Sequence, residues 1–406
     1  MIMMSNNKNY YHDDSNNKVI LITYPYEDSI KEALALADAA GYRVVATVTQ
    51  KYLMKSKYGI GAGKLDEVKS LIKSLDVRRI VFDEVLKPTQ EYNLASELNA
   101  EIIDREKLIL CIFESRASTA ESRIQVKLAQ LRYELARARE KVRLAKKGEQ
   151  PGFYGLGRYE VDDYYRDIKR RISMLKKRLE AVAKRRALYR KQRSREGLLS
   201  ISLAGYTSAG KTTLFNTLVN ERHDTDKGMF TTLSTYTRAL RLPTSNGSMK
   251  ILLSDTVGFI SKLPAYMIEA FRSTLEELTF ADLVLLVIDI SEPLTNIIKK
   301  YESSVKILNE LQVSQAKVFY VLNKIDLVND YTEIANKAKE LNIDSSRYVA
   351  VSSKYGKNID ILLNRINELL DNMCKERIDL KREEYGYYSS EYDIQEVLRL
   401  NIDNNN

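Results

Sequence analysis

Eight consecutive residues, Gly205-Tyr206-Thr207-Ser208-Ala209-Gly210-Lys211-Thr212, follow the pattern G-x-x-x-x-G-K-S/T. In that pattern glycines let backbone N–H groups curl around phosphates, and a helix opening at the lysine adds free donors and a favourable dipole. Lys211 is then placed to reach the β- and γ-phosphates of a nucleotide. The Thr212 hydroxyl is placed to ligate Mg²⁺, and Thr213 follows in the same turn. Leu198–Ala204 before the loop reads as a strand and TLFNTLV after it as a helix, which is the context the motif requires.

Three further motifs follow in order. Asp255-Thr256-Val257-Gly258 comes after an apolar run, where a carboxylate at a strand end can hold Mg²⁺ through water. The Gly258 amide can sense a γ-phosphate, because glycine permits close backbone approach. Asn323-Lys324-Ile325-Asp326 carries a carboxylate able to accept two hydrogen bonds from guanine N1–H and N2–H₂. Adenine lacks that donor pair, so the motif selects GTP over ATP. Lys324 can lie along the ring face, and Ser352-Ser353-Lys354 can supply an amide to the guanine oxygen. Between the P-loop helix and Asp255 lies Gly228-Met229-Phe230-Thr231-Thr232-Leu233. A switch loop needs a threonine to complete Mg²⁺ coordination and meet the γ-phosphate. Thr232 is the choice here and Thr231 its competitor, with Phe230 beside them. The metal ligands expected are therefore Thr212, Thr232 and Asp255.

These motifs need a frame. From Leu198 onward, strands are expected at Leu198–Ala204, Arg238–Leu242, Lys250–Leu253, Leu283–Asp289, Val318–Leu322 and Tyr348–Val351, with helices in most gaps and helical character again at Ile359–Leu370. That is a doubly wound, mainly parallel sheet. The N-terminal part also alternates. Strands are expected at Val19–Thr23, Tyr42–Thr49, Arg79–Phe82 and Glu101–Ile103, and helices at Ser29–Ala40, Lys64–Leu75 and Thr89–Leu98, giving a small α/β domain. Its turn Gly59-Ile60-Gly61-Ala62-Gly63-Lys64 reads most simply as a tight turn capping the next helix.

Between the two lies a different texture. Ile124, Leu128, Leu131, Leu135, Ala138, Val142 and Ala145 step by four and three, a heptad seam. A second seam runs Ile168, Ile172, Leu175, Leu179, Val182. Two such helices joined by a loop form an antiparallel hairpin, here expected to project because neither apolar face is wide. Residues 121–147 hold nine Lys/Arg against three Glu, and residues 164–196 hold fourteen against three acids. The hairpin is thus +17 in a chain of net charge +9, leaving −8 for the rest. Solvated faces ordinarily mix signs, so this stretch reads as an arm for a polyanion, with RNA phosphates the expected partner. Arg170, Arg171, Lys176, Lys177, Arg178, Lys184, Arg185 and Arg186 are its candidate contacts.

The expected organisation is a disordered tail over 1–17, an α/β domain over 18–113, the basic hairpin over 114–196, a nucleotide-binding domain over 197–371 and an extension over 372–406. Two cysteines, Cys111 and Cys374, cannot form a disulfide framework. Two histidines, His12 and His223, far apart in sequence, argue against a His-based metal site or triad. The longest apolar run, Leu283–Ile288, is too short to span a bilayer. The expectation is a monomer in the cytoplasm, with no membrane insertion beyond a peripherally associated fraction.

On these residues the chain resembles the HflX family of translational GTPases. GYTSAGKTTLFNTL, FTTLSTYTR and DTVGFI are similar to its P-loop and two switches. RASTAESRIQVKLAQLRYEL (Arg116–Leu135), IGAGK and FDEVLKPTQEYNL are similar to its helical and N-terminal segments. The resemblance covers about Val19 to Asp371. It implies binding of GTP and GDP, hydrolysis with Mg²⁺, and association with the large ribosomal subunit and its rRNA in ribosome splitting or rescue. Two departures stand out. The family's G-P-G-E loop reads Gly155-Leu156-Gly157-Arg158 here, and its usual P-loop Asn is Ser208, a swap expected to be mild. Competing readings are an RNA-remodelling NTPase and a signalling GTPase without ribosome contact.

The residue after Gly258 is Phe259, where many GTPases carry a water-positioning Gln. Either Phe259 marks slow intrinsic turnover, with the missing group supplied by a neighbouring loop or the ribosome, or it packs against the sheet. Lys211, Thr232, Gly258 and Phe259 are the catalytic candidates.

Overall fold

A computed structural model describes residues 17–54, 57–146, 158–220, 229–230, 233, 235–244 and 247–385. The chain divides into two compact units. One holds Met1–Ser115 with Gln130–Arg170, the other Arg116–Ala129 with Arg171–Asn406.

The first unit is built on β1 (Lys18–Thr23), α1 (Glu27–Ala39), β2 (Arg43–Thr49), α2 (Ala62–Leu75), β3 (Arg79–Phe82), α3 (Pro88–Leu98), β4 (Glu101–Asp104) and α4 (Arg105–Arg116). Its four strands are parallel in the order β2-β1-β3-β4. Apolar side chains of β1, β3 and α3 bury against one another, among them Ile20, Ile22, Ile80, Phe82 and Leu94. The elements match the expected ones to within two residues, except that α4 has no counterpart among them. Its run Leu108, Ile109, Leu110, Ile112, Phe113 is buried nearly all round, so it shows no 3.6-residue stripe. Asp104 starts it by accepting from the Lys107 N–H at 2.9 Å.

Two long helices follow, α5 (Ala120–Lys146) and α6 (Arg158–Arg195). They run antiparallel: Glu121, at the start of α5, pairs with Arg186, near the end of α6, at 2.5 Å. The expectation that the pair merely projects is corrected. Beside its heptad seam α5 buries a second stripe of Ser122, Gln125, Val126, Ala129, Tyr133 and Arg137. Its polar members are buried because each finds a partner. The Gln125 amide bonds Thr274 Oγ1 at 2.8 Å in the second unit, and Arg137 reaches Glu91 at 2.8 Å in the first. The loop 155–157 lies outside the described residues.

The second unit continues with β5 (Leu199–Gly205), α7 (Lys211–Val219), β6 (Tyr236–Thr244), β7 (Gly247–Asp255), α8 (Ala265–Ala270), α9 (Arg272–Phe280), β8 (Leu283–Asp289), α10 (Leu294–Glu310), β9 (Val318–Asn323), α11 (Tyr331–Glu340), β10 (Tyr348–Ala350) and α12 (Ile359–Tyr385). The six strands lie in the order β10-β9-β8-β5-β7-β6, all parallel except β6 against β7. Leu283–Ile288 is buried along its whole length, as expected of a strand covered on both faces. β6 and β7 are longer than expected because they form one antiparallel ribbon at the sheet edge. α12 likewise runs past Leu370 to Tyr385, into the segment expected as an unassigned extension.

Candidate nucleotide site

The motifs meet at the C-terminal edge of the six-stranded sheet, where an open α/β sheet takes its ligand. β5 ends at Gly205 with φ +140°, and a Cβ there would fall 2.3 Å from the Val287 carbonyl oxygen on neighbouring β8. Only glycine lets the chain leave the sheet at this angle. The loop turns again at Ser208 and Gly210, both at positive φ, and α7 opens at Lys211. Asn is better suited than Ser to the left-handed region, which explains the type common in similar loops.

Lys211 is 6% exposed, and its Nζ donates to the Tyr206 carbonyl at 2.8 Å. Burial pushes its pKa down to about 8, against a smaller opposing pull from Asp255. An ammonium held this way gains when phosphate oxygens come within reach. Thr212 Oγ1 donates to Asp255 Oδ2 at 2.8 Å. A hydroxyl and a carboxylate side by side are the hard oxygen donors that Mg²⁺ takes, so the pair fits the ion. Thr256 Oγ1 donates to the Leu203 carbonyl at 2.6 Å, Val257 is buried, and together they fix the strand end.

Gly258 lies close to the P-loop. A Cβ on it would sit 2.9 Å from Thr207 Cγ2 and 3.1 Å from Lys211 Nζ. The next residue, Phe259, accepts from the Thr207 N–H at 2.8 Å and donates to the Gly205 carbonyl at 3.0 Å. Its ring is 2% exposed, packed as a core side chain. Tyr206 adds a tie that the sequence did not signal: its hydroxyl accepts from the Ser261 N–H at 2.8 Å.

At the base end, Asn323 bridges two motifs rather than standing alone. Its Nδ2 donates to the Ala209 carbonyl at 2.8 Å, and its Oδ1 accepts from the Ser353 N–H at 3.0 Å and the Ser353 hydroxyl at 2.8 Å. Lys324, at φ +67°, pairs with Asp289 at 2.5 Å. Asp289 was not singled out from sequence; its only signal was its place at the end of β8. Asp326 is exposed, and Ser352 Oγ donates to its Oδ1 at 2.5 Å, which orients the carboxylate. Lys354 is exposed, with its ammonium 5.0 Å from the Tyr355 ring. Thr213 is half-buried on α7, and Phe230 is buried at φ +59°. Thr231, Thr232 and Gly228 lie outside the described residues.

On α6, Arg170, Arg171, Lys176, Lys177, Arg178, Lys184 and Arg185 are exposed. Lys176 reaches Glu269 at 3.4 Å, and Arg186 is drawn in by its pairing with Glu121.

A G-x-x-x-x-G-K-T loop on one strand of a parallel sheet, with the Asn-Lys-x-Asp motif two strands along the same edge, is the build of a P-loop GTPase. Residues 27–114 match the family "GTP-binding GTPase N-terminal", 116–193 the "GTP-binding GTPase Middle Region", and 200–324 the "50S ribosome-binding GTPase". The chain is 41% identical to GTPase HflX of Thermococcus kodakarensis over 359 residues, covering 87% of this chain and 78% of that one. It is 41% identical to GTPase HflX of Methanocaldococcus jannaschii over 347 residues, covering 84% and 83%. A crystal structure of SsGBP in complex with GDP is 29% identical, covers 88% of this chain and 98% of that one, and superposes with a TM-score of 0.50. The chain belongs to the HflX family of GTPases, and it binds and hydrolyses GTP.

Proposed function

We propose that the chain is a GTP-driven switch that associates with the large ribosomal subunit and acts in ribosome splitting or rescue. The observation that carries this reading is the pairing of a guanine-nucleotide edge with a strongly basic α6 in the same chain. Exposed cations on one helix in large excess over its acids suit rRNA phosphates, and the description "50S ribosome-binding GTPase" of the family matching 200–324 supports the same partner.

In this reading Lys211 holds the β- and γ-phosphates and the P-loop amides from Ser208 to Thr213 cradle them. Thr212, Asp255 and Thr232 hold Mg²⁺, which when bound neutralises charge on those phosphates. Asp326, oriented by Ser352, reads the guanine edge. Lys324 flanks the ring, and Asn323 ties its loop to the P-loop. Gly258 and Thr232 sense the γ-phosphate, and its loss on hydrolysis releases both switches. With Phe259 in the position of a water-orienting Gln, intrinsic turnover is slow and the ribosome accelerates it.

The test is co-sedimentation with purified large subunits across a salt series, with GTP turnover measured in parallel. Charge reversal at Lys176, Lys177, Arg178, Lys184 and Arg185 is expected to weaken association and flatten its salt dependence, with GDP affinity unchanged. Unaltered association by the reversed chain, or turnover indifferent to added subunits, contradicts the ribosomal role.

A further inference from the structure

The buried ring of Phe259 leaves the reaction without the usual side chain for the attacking water. The P-loop holds a group placed to take that part. Thr207 is 4% exposed, and its hydroxyl has no hydrogen-bond partner among the described residues. Buried hydroxyls ordinarily have one, so an orphaned one asks for a ligand. Nearby donors are committed elsewhere. The Thr207 N–H is taken by Phe259 and Lys211 Nζ by Tyr206.

The position is specific. Gly258 has Thr207 Cγ2, Thr207 Cα and Lys211 Nζ all within 3.2 Å of where its Cβ would be. The lysine that reaches the terminal phosphates, the glycine amide that senses them and the Thr207 methyl therefore border one small space, and the unpartnered hydroxyl sits on the same Cβ as that methyl.

We propose that the Thr207 hydroxyl is a catalytic group for GTP hydrolysis, holding the attacking water in line with the γ-phosphate. This rests on the reading of the P-loop as the hydrolytic site. Thr207 Oγ1 accepts a hydrogen bond from the water and donates its own to a γ-phosphate oxygen. The water oxygen bonds to the γ-phosphorus as the bond from phosphorus to the β–γ bridging oxygen breaks. GDP leaves with that oxygen and its electron pair. The water proton passes to the released phosphate, and Thr207 ends the cycle unchanged. The protein thus supplies orientation rather than a base, a role for which a neutral hydroxyl suffices.

The experiment compares wild type with Thr207→Val, which keeps the shape and loses the hydroxyl, and Thr207→Ser, which keeps the hydroxyl and loses the methyl. Affinity for GDP and for a non-hydrolysable GTP analogue is measured beside single-turnover hydrolysis at saturating GTP. Thr207→Val is expected to bind both nucleotides within about twofold of wild type and to hydrolyse at least about tenfold more slowly. Thr207→Ser is expected to restore most of that rate. Wild-type hydrolysis by Thr207→Val overturns the proposal, and so does a serine variant as slow as valine. Equal losses of binding and rate in the valine variant also overturn it, since they assign the hydroxyl to binding or structure. A wild-type chain that fails to bind guanine nucleotide contradicts the underlying site instead, so the two failures are told apart.

Discussion

The chain carries a parallel and a mainly parallel sheet whose C-terminal edges have met the same physical problem in opposite ways. Both edges end strands with polar residues: Thr23, Asp83 and Asp104 in the first unit, Asp255, Asp289 and Asn323 in the second. In the first, the groups close on themselves. Asp83 accepts from Thr23 at 2.7 Å and from Arg105, which also holds Glu32 at 2.7 Å. Asp104, with 0% of its side chain exposed, takes Arg137, whose guanidinium stacks 3.5 Å from the Tyr133 ring centroid. Burial pushes both carboxyls up, and the arginines oppose it. In the second, glycines turn the loop away from the strand end, and among the described residues the buried Lys211 ammonium donates to a backbone carbonyl and to no side chain. The difference shows that the topology alone does not make a ligand site. The edge becomes one where glycines turn the chain away and a charge is left under-compensated.

That contrast can be broken or sharpened by measurement. The largest effect is expected in the closed edge. Arg137→Ala strands the Asp104 carboxylate in a dry setting, and should cost about 3–5 kcal/mol of stability. Denaturant unfolding followed in the first unit checks it, and GDP affinity should hold. The open edge should instead respond to pH. Lys211, with its pKa near 8 in the free chain, must be protonated to pair with phosphate. Nucleotide binding raises that pKa and takes up a proton above it, so affinity is flat below about pH 8 and falls above it. The limiting slope is about tenfold per pH unit. A titration of GDP affinity between pH 7 and 9.5 reads this directly, and a flat profile to the upper limit would put the lysine elsewhere. The smallest effect belongs to Ser352→Ala, which loses one orienting hydrogen bond to Asp326. About 1 kcal/mol, or several-fold weaker GTP binding, is the expected loss, measured by competition against a fluorescent nucleotide.

Much of the second unit was readable from sequence because its motifs state their own geometry. A strand, a glycine turn and a lysine at fixed spacing can hardly be assembled otherwise, and the expected strands lie within a few residues of the observed ones. The first unit was readable in outline, through the alternation of apolar runs. What escaped were features set by partners distant in sequence. α4 carries apolar residues on all sides, which hides its period. The second buried stripe of α5 uses Gln125, Tyr133 and Arg137, which look like solvent-facing residues until Thr274, Asp104 and Glu91 stand opposite. Asp289 acts through Lys324, and Ser352, named from sequence only as a possible amide donor, also orients Asp326; no local spacing announces a residue that works by holding another.

The account turns on Asp326 reading the purine edge. Asp326→Asn exchanges one carboxylate oxygen for an amide donor. Guanine then meets a donor where it offers an amino group, whereas xanthine, with a carbonyl there, gains a partner. Affinities of wild type and Asp326→Asn for GTP and for the xanthine triphosphate, measured by calorimetry, should move in opposite directions. GTP binding is expected to weaken by about a hundredfold, some 3 kcal/mol, and xanthine triphosphate to bind the variant better than the wild type. An unchanged GTP affinity in the variant would contradict the assignment of this edge as the guanine site.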